Sequence, residues 1–200
     1  MAERMMTMLN KIMIATNNAN KLREAREIFS PLGIEVVSPR EAGVSADPEE
    51  TGTTFRENAY IKARTFHALV DMPVFADDSG ICVDALDGRP GVYSARYAPD
   101  GNECEKLLGD MKDVPEGKRT AHYACVIAFV DGDTEADFSG ICEGRIGYEK
   151  RGTNGFGYDP IFLRGDRTMA EMTPEEKNSI SHRSAAMKGL YEFIKERYGE

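Results

Sequence analysis

The sequence lacks the cysteine pattern of a metal centre. Its four cysteines, Cys82, Cys104, Cys125 and Cys142, contain no C-x-x-C pair, and none lies beside a histidine at metal-ligand spacing. We therefore expect reduced thiols that mostly fill the core of a cytoplasmic protein.

Long hydrophobic runs and an excess of basic residues are also missing. No apolar run approaches the length of a membrane span, and the opening MAERMMTMLNK lacks the apolar core of a signal peptide. The net charge is −9, which argues against a nucleic-acid surface. A small phosphorylated ligand is still compatible with this negative net charge, because a few lysines and arginines with a divalent cation can form a locally positive pocket. We expect neither a membrane nor a nucleic-acid partner.

The chain has 200 residues, which predicts one domain or one domain with two lobes. Met5, Met6 and Met8 could each be the first translated residue. We therefore predict a loose N-terminal extension over residues 1–9 and a single two-lobed domain over residues 10–200.

The stretch of residues 74–97 contains two acidic residues that are candidates for a functional site. A short apolar run predicts a buried strand that ends at Asp77 and Asp78, followed by a turn at Ser79 and Gly80. Side chains alternate along a strand, so the two carboxylates are predicted to point to opposite sides and to have different roles. The alternative is ordinary turn chemistry, in which Asp and Ser cap backbone amides.

A second polar junction follows the first predicted strand, residues 11–15. Residues 16–21, TNNANK, are followed by a predicted helix with one apolar face. Pro31 and Gly33 are predicted to end this helix. The free N–H groups and positive dipole end of such a helix favour phosphate, although a plain capped turn has the same pattern. Residues 34–37 are a predicted second strand.

The next segment combines an acidic loop with a helix. The acids of residues 45–52 could face solvent or reach a metal, since hard cations prefer carboxylate oxygens. Thr54 and Glu57 form a capping box, which predicts a helix to about Val70. Asn58 and Lys62 lie four residues apart on one side of it, and Lys62 is either a surface lysine or directed at the Asp77-Asp78 turn.

The C-terminal half predicts a hairpin, a glycine-rich loop and a last helix. Residues 121–130 and 136–142 are the hairpin strands, and residues 102–111 a short helix before them. In the loop of residues 152–162, Phe156 could stack on a flat ring or simply anchor a turn. A capping box at Thr173 predicts a helix that runs on past Met187, with cations in its first turns.

Taken together, six segments resemble the inosine triphosphate pyrophosphatase family. They are Thr16-x-Asn18-x-x-Lys21, Phe55-x-Glu57-Asn58-Ala59-x-x-Lys62-Ala63, Ala76-Asp77-Asp78-Ser79-Gly80, Pro90-Gly91-Val92-x-Ser94-Ala95-Arg96-Tyr97, Gly155-Phe156-Gly157-Tyr158-Asp159-Pro160 and Lys177-x-x-x-Ser181-His182-Arg183. They follow the order of the family from Lys11 onward. Asn17 departs from the glycine usual in bacterial members, but Asn tolerates unusual backbone angles.

The resemblance implies an α/β fold with a central mixed β-sheet, flanking helices and two lobes around an active-site cleft. It also implies a homodimer and the Mg²⁺-dependent reaction NTP + H₂O → NMP + pyrophosphate on ITP, dITP and XTP. Asp78 is implied to be the active-site acid, as general base, metal ligand or both. Glu49 is implied to help hold Mg²⁺, with Glu50 less favoured.

The remaining site residues implied by the resemblance fall into three sets. The triphosphate ligands are Thr16, Asn17, Asn18, Ala19, Asn20 and Lys21. The residues in contact with phosphate or substrate are Lys62, Ser79 and Lys177. The base pocket is formed by Phe156, Gly157, Tyr158, Asp159, His182 and Arg183.

Base selectivity has a physical basis in this reading. The 6-keto group of hypoxanthine or xanthine suits donors such as Arg183 or His182, whereas adenine presents a 6-amino donor. Guanine carries the same 6-keto group, so rejection of GTP requires a further contact at its 2-amino group. Competing interpretations are a Maf-like nucleotide pyrophosphatase with another base preference, a non-catalytic nucleotide sensor, and a nucleic-acid-binding module, which the acidic charge disfavours.

Overall fold

The computed structural model describes residues 9–199 and contains one seven-stranded sheet with five α-helices. The strands are β1 (Lys11–Ile14), β2 (Glu35–Val37), β3 (Val74–Val83), β4 (Thr120–Asp131), β5 (Thr134–Ile146), β6 (Phe162–Arg164) and β7 (Arg167–Thr168). The helices are α1 (Ala19–Phe29), α2 (Phe55–His67), α3 (Glu103–Asp110), α4 (Pro174–Ile180) and α5 (His182–Tyr198). The extension predicted over residues 1–9 lies outside the described residues except for Leu9.

The sheet is mixed, with the strand order β2-β1-β3-β4-β5-β6-β7. Strand β1 pairs in parallel with β2 and with β3, whereas β6 pairs antiparallel with β5 and β7. This arrangement confirms the predicted α/β class with a mixed sheet and flanking helices.

The chain forms two compact units, each with its own core. The first contains the described part of Met1–Asp78, Val126–Phe138 and the described part of Ala186–Glu200. Its core packs the apolar face of α2 against β1 and the start of β3, with Ala59, Ala63 and Phe66 almost completely buried. The capping box of Thr54 and Glu57 is present, but α2 ends at His67, three residues earlier than predicted.

The second unit comprises Ser79–Cys125 and Ser139–Ala185. Its core is formed by apolar side chains such as Ile81, Leu107 and Phe162, all without exposed surface. Here the Arg119 side chain, only 2% exposed, donates to the carbonyls of Met111, Val114, Ile146 and Gly147 at 2.6–3.0 Å. Four backbone acceptors thus take the place of a carboxylate around this guanidinium group.

Two sequence-based predictions about element boundaries are wrong. Strand β3 does not end at Asp77 but continues to Val83, because the acids are paired with lysines and apolar residues follow at Ile81 and Val83. The last predicted helix is two helices, since Ser181 is extended (ψ 146°) and its Oγ accepts the N–H of Ser184. Ser181 therefore begins α5 as an N-terminal cap.

None of the helices in residues 9–199 has the length and hydropathy needed to cross a membrane.

Candidate active site

The candidate residues occur in both units, and the first set begins where β1 meets α1. Asn18 caps α1, with its Oδ1 accepting the N–H groups of Asn20 (2.9 Å) and Lys21 (3.3 Å). Thr16 Oγ1 accepts the Asn18 N–H at 3.2 Å. The turn is open to solvent at Asn17, Asn18 and Ala19. The predicted strand–polar turn–helix junction is present, and it presents N–H groups at the positive end of a helix dipole.

Asp77 and Asp78 lie next to each other in β3 and bind different lysines. Lys21 Nζ is 2.9 Å from Asp77 Oδ1, and Lys62 Nζ donates to Asp78 Oδ1 at 2.9 Å. The Asp77 side chain is 1% exposed and that of Asp78 is 12% exposed. This separation agrees with the alternation expected along a strand, which sends the two acids to different partners.

Burial and charge act against each other at the Asp78–Lys62 pair. Burial raises the pKa of Asp78, and the Lys62 charge opposes this increase only in part. For Lys62 burial lowers the pKa, but the charges of Asp78 and Asp77 and the hydrogen bonds to Glu50 and Asp78 together outweigh burial, and the net pKa is raised. The lysine therefore stays protonated as a fixed positive charge, while Asp78 is a carboxylate more basic than an exposed aspartate.

The acidic loop reaches this pair through Glu50. Its Oε1 accepts from Lys62 Nζ at 2.7 Å, so that one ammonium bridges Glu50 and Asp78. Glu49, the residue predicted to help hold the metal, is exposed. Within residues 9–199, no three His, Cys, Asp or Glu side chains are grouped as a metal cage.

In the second unit, the Asp159 carboxylate organises the glycine-rich loop. Its Oδ2 accepts from Lys177 Nζ at 2.6 Å and from the Phe156 N–H at 2.8 Å, while Oδ1 accepts from the Tyr123 hydroxyl at 3.4 Å. Gly155 has φ +76°, and a Cβ there would lie 2.1 Å from Asp159 Oδ2. Only glycine can bring this turn so close to the carboxylate.

The loop presents one aromatic ring and buries the other. Phe156 is 39% exposed, with Lys177 Nζ 4.7 Å and the Arg183 guanidinium 5.7 Å from its ring centre. Tyr158 is buried, and its hydroxyl donates to the Ser94 carbonyl at 2.8 Å. Phe156 is thus available for stacking on a planar ligand, whereas Tyr158 holds the loop in place.

The start of α5 completes this second set. Arg183 Nη2 donates to Ser79 Oγ at 3.2 Å, and the His182 ring stacks on the Tyr123 ring at 4.7 Å with an interplanar angle of 8°. Ser79, Asp159, Lys177 and Arg183 are therefore brought together within one unit. Gly157 has φ +60° and its carbonyl accepts from Cys104 Sγ.

Sequence reasoning missed two supporting residues. The sequence predicts only that Asn58 lies on one side of α2 with Lys62, whereas in the structure its Nδ2 donates to Asp78 Oδ2. Tyr123 is predicted only as part of a strand, yet it contacts both Asp159 and His182. Both roles depend on partners distant in sequence, and no local sequence pattern indicates either contact.

Comparison with known proteins identifies the family. The model of the Ham1 family matches residues 12–193. Proteins named dITP/XTP pyrophosphatase in Leptospira interrogans and Bacillus subtilis are each 45% identical, with matches covering 94% of this chain and 98% and 99% of those proteins. The structure of a HAM1 protein from Coxiella burnetii superposes with a TM-score of 0.87 at 41% identity, covering 94% of this chain and all of that chain. These matches confirm the resemblance carried by the six motifs, and the chain belongs to the Ham1 family.

Proposed function

We propose that this chain is a nucleoside-triphosphate diphosphatase that hydrolyses dITP, XTP and ITP to the monophosphate and pyrophosphate. The observation that carries the proposal is the 45% identity, across nearly the whole chain, to proteins named dITP/XTP pyrophosphatase. Hydrolysis of these non-standard purine nucleotides would remove them from the pool used to make DNA and RNA.

The residues proposed to bind the phosphates lie in the first unit. Residues 16–21 offer N–H groups, amide side chains and the Lys21 ammonium, and Lys62 adds a second cation beside Asp78. Attack at the α-phosphorus requires charge neutralisation and an oriented water molecule. Asp78 is the residue proposed to act on this water, as general base, as metal ligand or as both.

Magnesium is the proposed cofactor, and the charges around Asp78 suit it. Asp77, Asp78 and Glu50 carry three negative charges against the two positive charges of Lys21 and Lys62. Mg²⁺ is usually held by one or two carboxylates together with substrate phosphates, so a full protein cage is not required. When bound, the ion would neutralise phosphate charge and lower the pKa of a water molecule. Asp78 and Glu49 remain the proposed metal ligands. Glu50 is the alternative to Glu49, because Lys62 Nζ binds both Glu50 and Asp78 and so keeps the two carboxylates close together.

The residues proposed to contact the purine base lie in the second unit. Phe156 would stack on the purine, while His182 and Arg183 would donate to its 6-keto group. Adenine would oppose these donors with its own amino group, and a site built around one hydrogen-bonding pattern can reject the wrong one by ~10⁴-fold. Lys177, Ser79, Gly157, Tyr158 and Asp159 would form and support this pocket.

The wider setting is also part of the proposal. The family resemblance implies a homodimer with two lobes, the chain length a single domain over residues 10–200, and the absence of a disulfide pattern a cytoplasmic location. Neither a nucleic acid nor a membrane is proposed as a partner.

The test is hydrolysis of ITP, XTP, dITP, GTP and ATP in parallel with Mg²⁺, with pyrophosphate and orthophosphate assayed separately. We expect pyrophosphate from the first three and little product from ATP or GTP. Orthophosphate alone would mean attack at the γ-phosphorus and would contradict the mechanism. Preference for other bases would favour the Maf-like alternative, and tight ITP binding without turnover would favour the nucleotide sensor.

A further inference from the structure

Asn58 is a polar side chain with no exposed surface, and it lies on α2 one helical turn before Lys62. Burying an amide without hydrogen bonds is unfavourable, because the group loses its contacts with water. A buried asparagine therefore has to be matched to particular partners, and those partners indicate what the residue does.

Both ends of the Asn58 amide are used. Nδ2 donates to Asp78 Oδ2 at 3.3 Å, and Oδ1 accepts the backbone N–H of Gly52 at 2.8 Å. The opposite orientation would place a donor against the Gly52 N–H and an acceptor against the carboxylate. The hydrogen-bond network thus fixes how the amide is oriented.

Asn58 and Lys62 together hold the two oxygens of one carboxylate. Lys62 Nζ binds Asp78 Oδ1 at 2.9 Å, and Asn58 Nδ2 binds Oδ2. Because both residues project from the same helix, they restrict rotation of the carboxylate as a pair. Lys62 contributes a positive charge beside the carboxylate, whereas the neutral Asn58 only orients it through a hydrogen bond.

The same amide anchors the acidic loop. A Cβ at Gly52 would lie 2.6 Å from Asn58 Oδ1 and 2.7 Å from Glu57 Cβ, so the loop approaches α2 as closely as a glycine allows. Two residues earlier, Glu50 accepts from Lys62. Hydrogen bonds therefore connect Gly52, Asn58, Asp78, Lys62 and Glu50 in series, and the backbone between Glu50 and Gly52 closes the ring.

We propose that Asn58 is a positioning residue of the active site, which fixes the Asp78 carboxylate against the loop of residues 49–52. The inference rests on the proposed function, in which Asp78 must be aligned with the water molecule and the α-phosphorus. Misplacement of a reacting group by about 1 Å can cost on the order of 10²-fold in rate.

The test compares three variants. Asn58→Leu keeps the approximate volume of the side chain but removes both hydrogen bonds, and Gly52→Ala presses on the same amide from the loop. Tyr60→Phe is the matched control, because Tyr60 is buried on the same helix and donates to Asp137 at 3.0 Å, remote in sequence from Asp78. For each variant, kcat and KM for dITP and the exchange rate of the Gly52 amide are measured on protein shown to be folded.

We expect Asn58→Leu to lower kcat by roughly 10–100-fold with little change in KM. Its Gly52 amide should exchange faster than in the wild type, whereas Tyr60→Phe should change neither quantity. Gly52→Ala should lower kcat in the same direction and supplies the kinetic test if Asn58→Leu does not fold.

Unchanged kcat in folded Asn58→Leu, or in Gly52→Ala, would overturn the inference. An equal loss of kcat in Tyr60→Phe would do the same, because the effect would then be general destabilisation. If the wild type does not hydrolyse dITP, the proposed function fails instead. Exchange at Gly52 then still decides whether Asn58 anchors the loop.

Discussion

Replacing Asp159 by alanine tests whether its carboxylate holds the glycine-rich loop together. The Lys177 side chain is 13% exposed and that of Asp159 is 3% exposed, so the 2.6 Å pair is largely shielded from water. Removing one partner of a buried pair leaves an uncompensated charge and costs about 3–5 kcal/mol. The Phe156 N–H would lose its acceptor as well.

For a chain of this length, each kcal/mol lowers the melting temperature by about 2–4 °C. We therefore expect Asp159→Ala to melt roughly 6–20 °C below the wild type. The measurement is thermal and urea unfolding followed by circular dichroism. Asp166→Ala is the control, because the Asp166 side chain is fully exposed and 3.8 Å from Arg145, and its effect should stay within about 0.5 kcal/mol.

A double variant separates charge from hydrogen bonding. Asp159→Leu combined with Lys177→Met replaces the pair by apolar side chains of similar volume and should recover much of the stability lost in Asp159→Ala. A loss in Asp159→Ala no larger than in Asp166→Ala would refute the reasoning. A double variant as unstable as Asp159→Ala would assign the effect to the lost acceptor rather than to the unpaired lysine.

Three further predictions concern the acid, the base pocket and acid stability. Asp78→Asn should reduce dITP turnover by roughly 10²–10⁴-fold with an unchanged circular dichroism spectrum; near-normal turnover would remove Asp78 from the mechanism. Arg183→Ala should raise KM for ITP and weaken the preference for ITP over ATP without altering the Mg²⁺ dependence; an unaltered preference would contradict the base-pocket assignment. Hydrogen bonds from the Ser38 backbone and Arg26 lower the pKa of Glu41 from 4.5 to about 2, so its ionised form stabilises the fold above pH 4.5 and this contribution is lost as pH falls towards 2. Glu41→Gln should therefore melt below the wild type at pH 7, and the two melting temperatures should converge near pH 2. A difference that does not change with pH would mean that ionisation of Glu41 does not stabilise the fold.

Local signals were sufficient for several parts of the fold and the site. The Thr54 capping box and the polar junction at Asn18 were predicted correctly, because both depend on hydrogen bonds between residues close in sequence. The continuation of β3 through Asp77 was not predicted. Asp77 and Asp78 are accommodated inside the strand because they pair with lysines that are distant in sequence. The role of Asn58 depends likewise on Asp78, twenty residues away, and no local pattern encodes that contact.

The hydrogen bonds of the buried Arg119 guanidinium group affect how the second unit should respond to acid. Acid usually weakens ionic contacts by protonating their carboxylates, but the partners of Arg119 are the backbone carbonyls of Met111, Val114, Ile146 and Gly147, which do not titrate. Burial lowers the pKa of Arg119, yet an arginine keeps its proton throughout the acid range. The link between the segment after α3 and the end of β5 should therefore survive at a pH where protonation of the Asp78 carboxylate has already broken its ion pair with Lys62.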